Sequence, residues 1–132
     1  MIKKILWIII GLFSILCVGL GSFLILPQYD VGVVREGSMT PNINPGDLVF
    51  IKTFPKEIKP GMVIVYKKEG GDAIHRVISI EEEELITKGD AWDYTDLELF
   101  HFKVKVSNVK GVYLFKIPKL GYLCFSFQKA AQ

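Results

Sequence analysis

A serine, a histidine and two aspartates occur in an order that could form a hydrolytic site. Ser38 follows Gly37 in a proline-containing segment, His75 comes later, and Asp90 and Asp96 follow it. A serine hydroxyl becomes a nucleophile when a base with a pKa near neutrality takes its proton, and imidazole suits that task. A carboxylate on the other ring nitrogen fixes the tautomer and stabilises the imidazolium. Taken alone, Ser38 is only typical of a turn, so the case depends on the surrounding motifs.

Those motifs resemble the sequence boxes of type I signal peptidases. The first box is Gly-Ser-Met-Thr-Pro with a later Gly-Asp, over residues 37–47. The second is Ile-His-Arg-Val-Ile at 74–78, in the form used by endoplasmic-reticulum, archaeal and Gram-positive sporulation-type members; commoner bacterial members have lysine where this chain has His75. The third is Thr-Lys-Gly-Asp at 87–90, followed by Asp96. The three boxes in this order, after an apolar segment, make the resemblance specific over nearly the whole chain.

The resemblance implies a membrane-bound serine endopeptidase that removes N-terminal signal peptides from exported preproteins. By position, Ser38 matches the nucleophile, His75 the general base and Asp96 the aspartate that orients the histidine. Asp90 matches a supporting acidic residue, and the backbone N–H of Ser38 is the first candidate for the oxyanion hole. Neither a metal nor an organic cofactor is expected. The implied partners are preproteins with small residues before the cut, the lipid bilayer and accessory membrane subunits.

Two departures from the family pattern affect the expected activity. Glu36 stands two residues before the nucleophile, where relatives often carry a serine that helps bind the oxyanion. An ionised carboxylate cannot donate a hydrogen bond, so either backbone N–H groups form the hole or turnover is reduced. Ala91 and Trp92 replace two asparagines of the third box, and we expect Trp92 to fill the substrate cleft or touch the membrane. The walls of the substrate pockets are predicted from residues that flank the boxes: Met39, Ile74 and Val33 or Val34.

Other interpretations remain open. A non-catalytic homologue that binds signal segments or an assembly partner is favoured by Glu36 and by the altered third box. Self-cleaving repressors with a serine–lysine pair are related, but they are cytoplasmic and need a DNA-binding portion. A peptidase dedicated to a few proteins cannot be distinguished from a general one. The remaining histidine, His101, has no motif around it and is expected to be a strand or loop residue.

The site must be held by elements that the hydropathy pattern predicts. Residues 5–26 carry no charge, and as a helix they would be about 33 Å long, enough for a hydrocarbon core of about 30 Å. This length favours a retained anchor over a cleaved signal peptide. Lys3 and Lys4 precede it, which predicts a single-pass protein of the cell membrane with a cytoplasmic N-terminus and an extracytoplasmic domain. The predicted division is an N-terminal anchor at 1–26 and a peptidase domain at 27–132.

The rest of the chain predicts a mainly β fold, with a compact signal-peptidase-like β domain after the transmembrane helix. Short β-rich segments alternate with turn signals, and no long run has helical periodicity. The segments are 48–51, 62–66, 74–80, 85–87 and 102–106. A glycine pair at 70–71 predicts a hairpin, and the four glutamates at 81–84 predict a solvated turn. The aromatic run at 121–127 is either a last strand or a patch at the bilayer interface.

Composition excludes some classes. A formal net charge of +2 gives no basic face, so no nucleic acid is expected as a partner. Cys17 lies in the apolar run and Cys124 near the other end, so neither a disulfide framework nor a cysteine metal cluster is expected.

Overall fold

The computed structural model describes residues 1–123, apart from the side chains of residues 23–25. Cys124 and most of the predicted aromatic run at 121–127 lie outside the described residues.

Helix α1 (Ile2–Ile25) is the apolar segment seen in the sequence. Its residues 2–22 are long and apolar enough to cross a membrane, and none of that stretch is buried by the protein. Because a large apolar surface in water is unfavourable, the exposed helix fits a lipid environment. The orientation of the helix in a membrane stays a prediction.

Seven antiparallel strands form a single sheet after this helix. The sheet order is β1-β2-β7-β3-β4-β5-β6, and the five-residue helix α2 (Asp96–Phe100) lies between β5 and β6 in the chain. The mainly β fold class with an N-terminal apolar helix is therefore confirmed. The strands are β1 (Tyr29–Val33), β2 (Leu48–Thr53), β3 (Val63–Lys68), β4 (Gly71–Glu81), β5 (Glu84–Lys88), β6 (Val104–Lys105) and β7 (Val109–Ile117).

The turns follow the predicted signals, but one strand is shorter than predicted. Gly70 has a φ of +87°, which suits the tight β3–β4 hairpin, and the exposed pair of glutamates at 82–83 joins β4 to β5. The predicted strand at 102–106 is wrong in extent, since only Val104–Lys105 pairs and Val106–Asn108 is a 3₁₀ helix. The ladder ends at Lys105 because β5 begins at Glu84, directly opposite it, whereas Phe102 and Lys103 lie outside the ladder although β5 runs on to Lys88.

Two apolar clusters pack on opposite faces of the sheet. Alternate residues of β3 divide between them: Val63 and Val65 join one cluster, and Ile64 and Tyr66 join the other. The same alternation sends Ile74 towards the first cluster and places the neighbouring His75 on the face that carries Tyr66. The sheet therefore carries His75 into the interior beside the second cluster, which also contains Val77, Leu85 and Val104.

Candidate active site

Ser38 lies in a tight turn that follows β1. Ladder pairing continues past the strand, because Val34 and the Gly46–Asp47 segment exchange backbone hydrogen bonds, and the chain then turns with Thr40 N donating to Gly37 O at 3.1 Å. Ser38 is buried, with 9% of its surface exposed. Within residues 1–123 its backbone N–H donates no hydrogen bond, so this group is available to a bound oxygen.

A buried histidine–aspartate pair lies beside this turn. His75 on β4 is 5% exposed and Asp96, the first residue of α2, is 2% exposed. Nδ1 of His75 is 2.7 Å from Oδ2 of Asp96. Asp96 is therefore not a solvated loop carboxylate. Because Nδ1 is engaged, Nε2 is the ring nitrogen left to act on a substrate or on a nucleophile.

Two further side chains complete the surroundings of the carboxylate, and sequence reasoning missed both. Thr87 Oγ1 donates a short hydrogen bond to Asp96 Oδ2. Tyr66 Oη lies 3.5 Å from the same oxygen and 3.3 Å from His75 Nδ1. Burial, together with the nearby Asp96 carboxylate, holds the pKa of the Tyr66 phenol well above its ordinary value, so it stays a donor. The position of Thr87 at the start of the third box could have indicated its place in the site. Tyr66 had no such signal, because it lies in an apolar run typical of a core strand.

Asp90 does not contact the histidine but links the three boxes. Its carboxylate accepts two hydrogen bonds from Arg76, Nε to Oδ1 at 2.8 Å and Nη2 to Oδ2 at 2.7 Å, and a third from Asn42 at 2.8 Å. Arg76 also donates to Gly61 O at 2.8 Å. The hydrogen bonds from Arg76 hold the pKa of Asp90 below its usual range. The bidentate geometry of this ion pair fixes the loop after β5 relative to β4.

That loop lies directly against the serine. Ala91 N donates to Ser38 O at 3.0 Å. Gly89 approaches so closely that a Cβ there would lie 2.5 Å from Ser38 O. The glycine of the third box is thus required by close backbone approach and not by a positive φ.

Trp92, from the same loop, packs against the histidine. Its ring centroid is 5.3 Å from that of His75, at an interplanar angle of 71°, and 5.7 Å from that of Phe100. Among the described residues that line the cavity beside Ser38, Trp92 does not appear. The histidine and Phe100 hold the indole away from this cavity, so the expectation that Trp92 fills it is not supported, and contact of Trp92 with the membrane stays a prediction.

Ser38 and His75 both line a cavity of about 510 Å³. Residues of β1 and the first half of β4 form its walls, and Val49, Ile51 and Val65 add apolar surface. Three of the predicted pocket residues line it: Val33, Val34 and Ile74. Met39 does not, because its side chain is fully buried in the first apolar cluster.

The space around the serine has two further features. Glu36 is exposed and also lines the cavity, two residues before Ser38 in the chain. Within residues 1–123 the Ser38 hydroxyl makes no hydrogen bond, to His75 or to any other group. Catalytic hydrogen bonds are often loose without a substrate and tighten when one binds.

Fold and site together define a β protein with an apolar N-terminal helix and a cavity bordered by a serine and a carboxylate-bound histidine. No protein-family model matches the chain. Signal peptidase complex catalytic subunit SEC11 of Scheffersomyces stipitis is 36% identical over 101 residues, covering 69% of this chain and 61% of that protein. The subunit of the same name from Clavispora lusitaniae is 34% identical with the same coverage. Subunit SEC11C of Homo sapiens is 38% identical over 76 residues, covering 52% of this chain and 40% of that protein.

The chain is homologous to catalytic subunits of the signal peptidase complex, and the resemblance stated from its boxes is confirmed. It spans 61% or less of the length of these relatives.

Proposed function

We propose that the chain is a membrane-anchored serine endopeptidase that removes N-terminal signal peptides from exported preproteins. The observation that carries the proposal is the buried His75–Asp96 pair, with Nδ1 and Oδ2 2.7 Å apart, at a cavity that Ser38 also lines. Nucleophilic catalysis by serine needs a base that is itself oriented by a third group. The names of the homologues, signal peptidase complex catalytic subunits, support the same substrate class.

In the proposed mechanism Ser38 attacks the scissile carbonyl carbon while Nε2 of His75 takes the hydroxyl proton. Asp96 holds Nδ1 and stabilises the imidazolium, with Thr87 and Tyr66 keeping the carboxylate in place. The backbone N–H of Ser38 donates to the oxyanion. His75 then protonates the leaving amine, and water cleaves the acyl-enzyme by the same route, which returns the proton to Ser38. Asp90 supports this geometry through its ion pair with Arg76.

The shape of the cavity suits an extended chain. Its two walls are strand segments, at 30–34 and 71–75, and its apolar surface fits small uncharged side chains. β1 pairs only with β2 among the described strands, so its other edge is open to pairing with a peptide. The end of the cavity distant from Ser38 includes Thr53, whose side chain donates to Pro27 O just after α1. A substrate held in the bilayer by its own apolar segment would enter from this end.

We further propose that α1 spans the cell membrane once, with Lys3 and Lys4 on the cytoplasmic side and residues 27–132 outside. Positive residues beside a short terminus favour this orientation. The relatives' names refer to a complex, which supports accessory membrane subunits as partners.

The mechanism is tested by removing each catalytic group in the full-length chain in membranes. Ser38→Ala, His75→Ala and Asp96→Asn should each lower cleavage of a preprotein by about a thousandfold or more, because the members of such a triad act as a unit. The measurement is the rate of appearance of the mature product. Membrane fractionation and circular dichroism establish that each variant is inserted and folded.

Matched substitutions at exposed positions serve as controls: Ser107→Ala, His101→Gln and Asp93→Asn. They exchange the same residue types away from the pair and should leave the rate unchanged. Full activity of Ser38→Ala would contradict the serine mechanism. Loss of activity in the His101 variant would identify His101, and not His75, as the general base.

A second candidate function is a protein that binds signal segments without cutting them. Glu36 supports it, because an acidic residue that lines the cavity of Ser38 would oppose the negative charge of an oxyanion if its carboxylate faced that charge. This alternative predicts that the wild-type chain crosslinks to a preprotein and yields no mature product, whereas the peptidase yields product at a rate that depends on Ser38.

A further inference from the structure

Trp92 is the one residue of the altered third box that touches the proposed general base. The indole meets the imidazole of His75 nearly at right angles, with centroids 5.3 Å apart. On its other side it meets Phe100 of α2 at 5.7 Å. The indole is half-buried between these two rings, so its position is determined by packing on both sides.

The three sides of the imidazole have different neighbours. Nδ1 is bonded to Asp96 and lies near Tyr66, and another side of the ring borders the cavity that Ser38 lines. Trp92 is absent from the cavity lining of the described residues, so it packs against a part of the ring that faces away from this cavity. With the indole in place His75 is only 5% exposed.

The loop that carries Trp92 also holds the serine. Trp92 N donates to Gly89 O at 3.1 Å, and the neighbouring Ala91 N donates to Ser38 O at 3.0 Å. A few residues later, Thr95 caps α2 through hydrogen bonds with Glu98, which fixes the first helical residue, Asp96. One short segment therefore sets the positions of the serine, the carboxylate and one side of the histidine.

An indole at this distance has two physical effects on imidazole. Edge-to-face packing restricts the tilt of the ring, because other orientations lose contact area. A cation within about 6 Å of an indole ring is attracted by its quadrupole when it lies over the face. His75 becomes a cation only after it has taken the proton of Ser38, so such an attraction would act on the intermediate and not on the resting state.

We propose that Trp92 is a positioning residue for His75: it holds the imidazole towards Ser38 and stabilises the imidazolium formed during acylation. This inference rests on the proposed peptidase function. On this proposal the altered third box acts on the general base, His75, through Trp92, and does not bind substrate.

The kinetic test compares Trp92→Ala and Trp92→Phe in the full chain in liposomes, with a preprotein as substrate. Trp92→Ala should lower kcat by about tenfold and leave KM within about twofold, because general-base efficiency depends on placement of the base while the cavity is untouched. Trp92→Phe should recover most of kcat, since it keeps an aromatic ring. Tyr94→Ala, an exposed aromatic residue of the same loop, is the matched control and should match the wild type.

A spectroscopic test examines the contact without requiring activity. The sequence contains Trp7 and Trp92 as its two tryptophans, so Trp7→Phe leaves Trp92 as the single indole. Protonated imidazole quenches a neighbouring indole, so the emission should fall when the pH is lowered far enough to protonate His75. The fall should disappear in the additional variant His75→Gln and persist with His101→Gln.

The outcomes separate this inference from the function on which it rests. A raised KM with unchanged kcat in Trp92→Ala would make the indole a substrate contact and overturn the proposal, as would equal loss in the alanine and phenylalanine variants. A wild-type chain that cleaves nothing, while its emission still follows His75, would overturn the peptidase function and the catalytic role of Trp92 but leave the contact intact.

Discussion

At the scale of single residues, the carboxylate of Asp96 is used asymmetrically. Oδ2 faces the histidine, the threonine and the tyrosine, whereas Oδ1 is buried and has no hydrogen-bond partner within residues 1–123. An unsatisfied buried acceptor costs about 1–3 kcal/mol, so this orientation is maintained against a local penalty. Its benefit is that all the donors converge on the oxygen that touches His75.

Glu36 provides a prediction at the same scale, because this acidic residue lines the same cavity as Ser38. Glu36→Ser should raise kcat by about tenfold or more, since it removes a negative charge and adds a donor, and one oxyanion donor is typically worth about a hundred- to a thousandfold. The rate of preprotein cleavage at saturating substrate measures it. Glu36→Ala separates the two effects, because it removes the charge without adding a hydroxyl. Lower kcat in the serine variant would contradict the assignment of the oxyanion hole.

At the scale of elements, the site depends on the contact between two loops, one after β1 and one after β5. Gly89 gives a direct test of that contact. In Gly89→Ala the new Cβ would lie 2.5 Å from Ser38 O, so the serine backbone must shift. We expect kcat to fall by about tenfold or more, while unfolding free energy falls by about 1–3 kcal/mol, the usual cost of overpacking.

The matched control for Gly89→Ala is Gly11→Ala, because an added Cβ at Gly11 meets no atom within 4 Å. That variant should be indistinguishable from the wild type in rate and in thermal unfolding. An unchanged rate in Gly89→Ala would mean that the third box does not set the position of Ser38.

Several strands and turns of the protein are predictable from its sequence, whereas contacts between elements are not. Strands β2 to β5 and the β3–β4 hairpin follow from β-rich segments and turn residues, which are local properties, whereas β1 and β7 were not predicted. The order of the boxes predicts Ser38, His75 and Asp96, and the structure brings His75 and Asp96 together and places Ser38 at the same cavity, while their catalytic roles stay predictions. The contacts of Tyr66 and Trp92 with His75 are not predictable from the sequence, because they depend on how β3 and the loop after β5 meet β4, and no local pattern encodes that. The end of β6 at Lys105 is not predictable for the same reason, since it depends on where β5 begins.

At the scale of the whole molecule, Asp47 joins the serine-bearing segment to the last described strand. It is 2% exposed and accepts hydrogen bonds from Lys116 Nζ at 2.7 Å, Asn44 N at 2.9 Å and Lys119 N at 3.1 Å. Burial by itself would raise the pKa of Asp47. The hydrogen bonds from Lys116 and the two backbone N–H groups outweigh burial, so its pKa lies below the ordinary aspartate value.

This shift gives a prediction about acid stability. A pKa lowered by folding stabilises the protein above the ordinary aspartate pKa of about 4, and the contribution is lost as the pH falls through the lower folded value. Asp47→Asn should therefore destabilise the protein by about 1–3 kcal/mol at neutral pH and progressively less below about pH 4. Denaturant unfolding at several pH values measures the difference. Asp72→Asn, which breaks the exposed pair with Lys110, should have little effect at any pH.

The cavity beside Ser38 also has a defined length. On the proposed function, this length fixes the distance between the membrane boundary of a preprotein and the bond that is cut. From His75 to Gly71, four residue steps of β4 wall it, which at about 3.3 Å per residue is about 13 Å. The far end is adjacent to the segment that follows α1, where the bilayer would begin. A preprotein whose apolar segment stops there can present only a bond that lies a few extended residues beyond its membrane boundary. The distance between the bilayer and Ser38 would then restrict the position of the cut, independently of any recognition of side chains by a pocket.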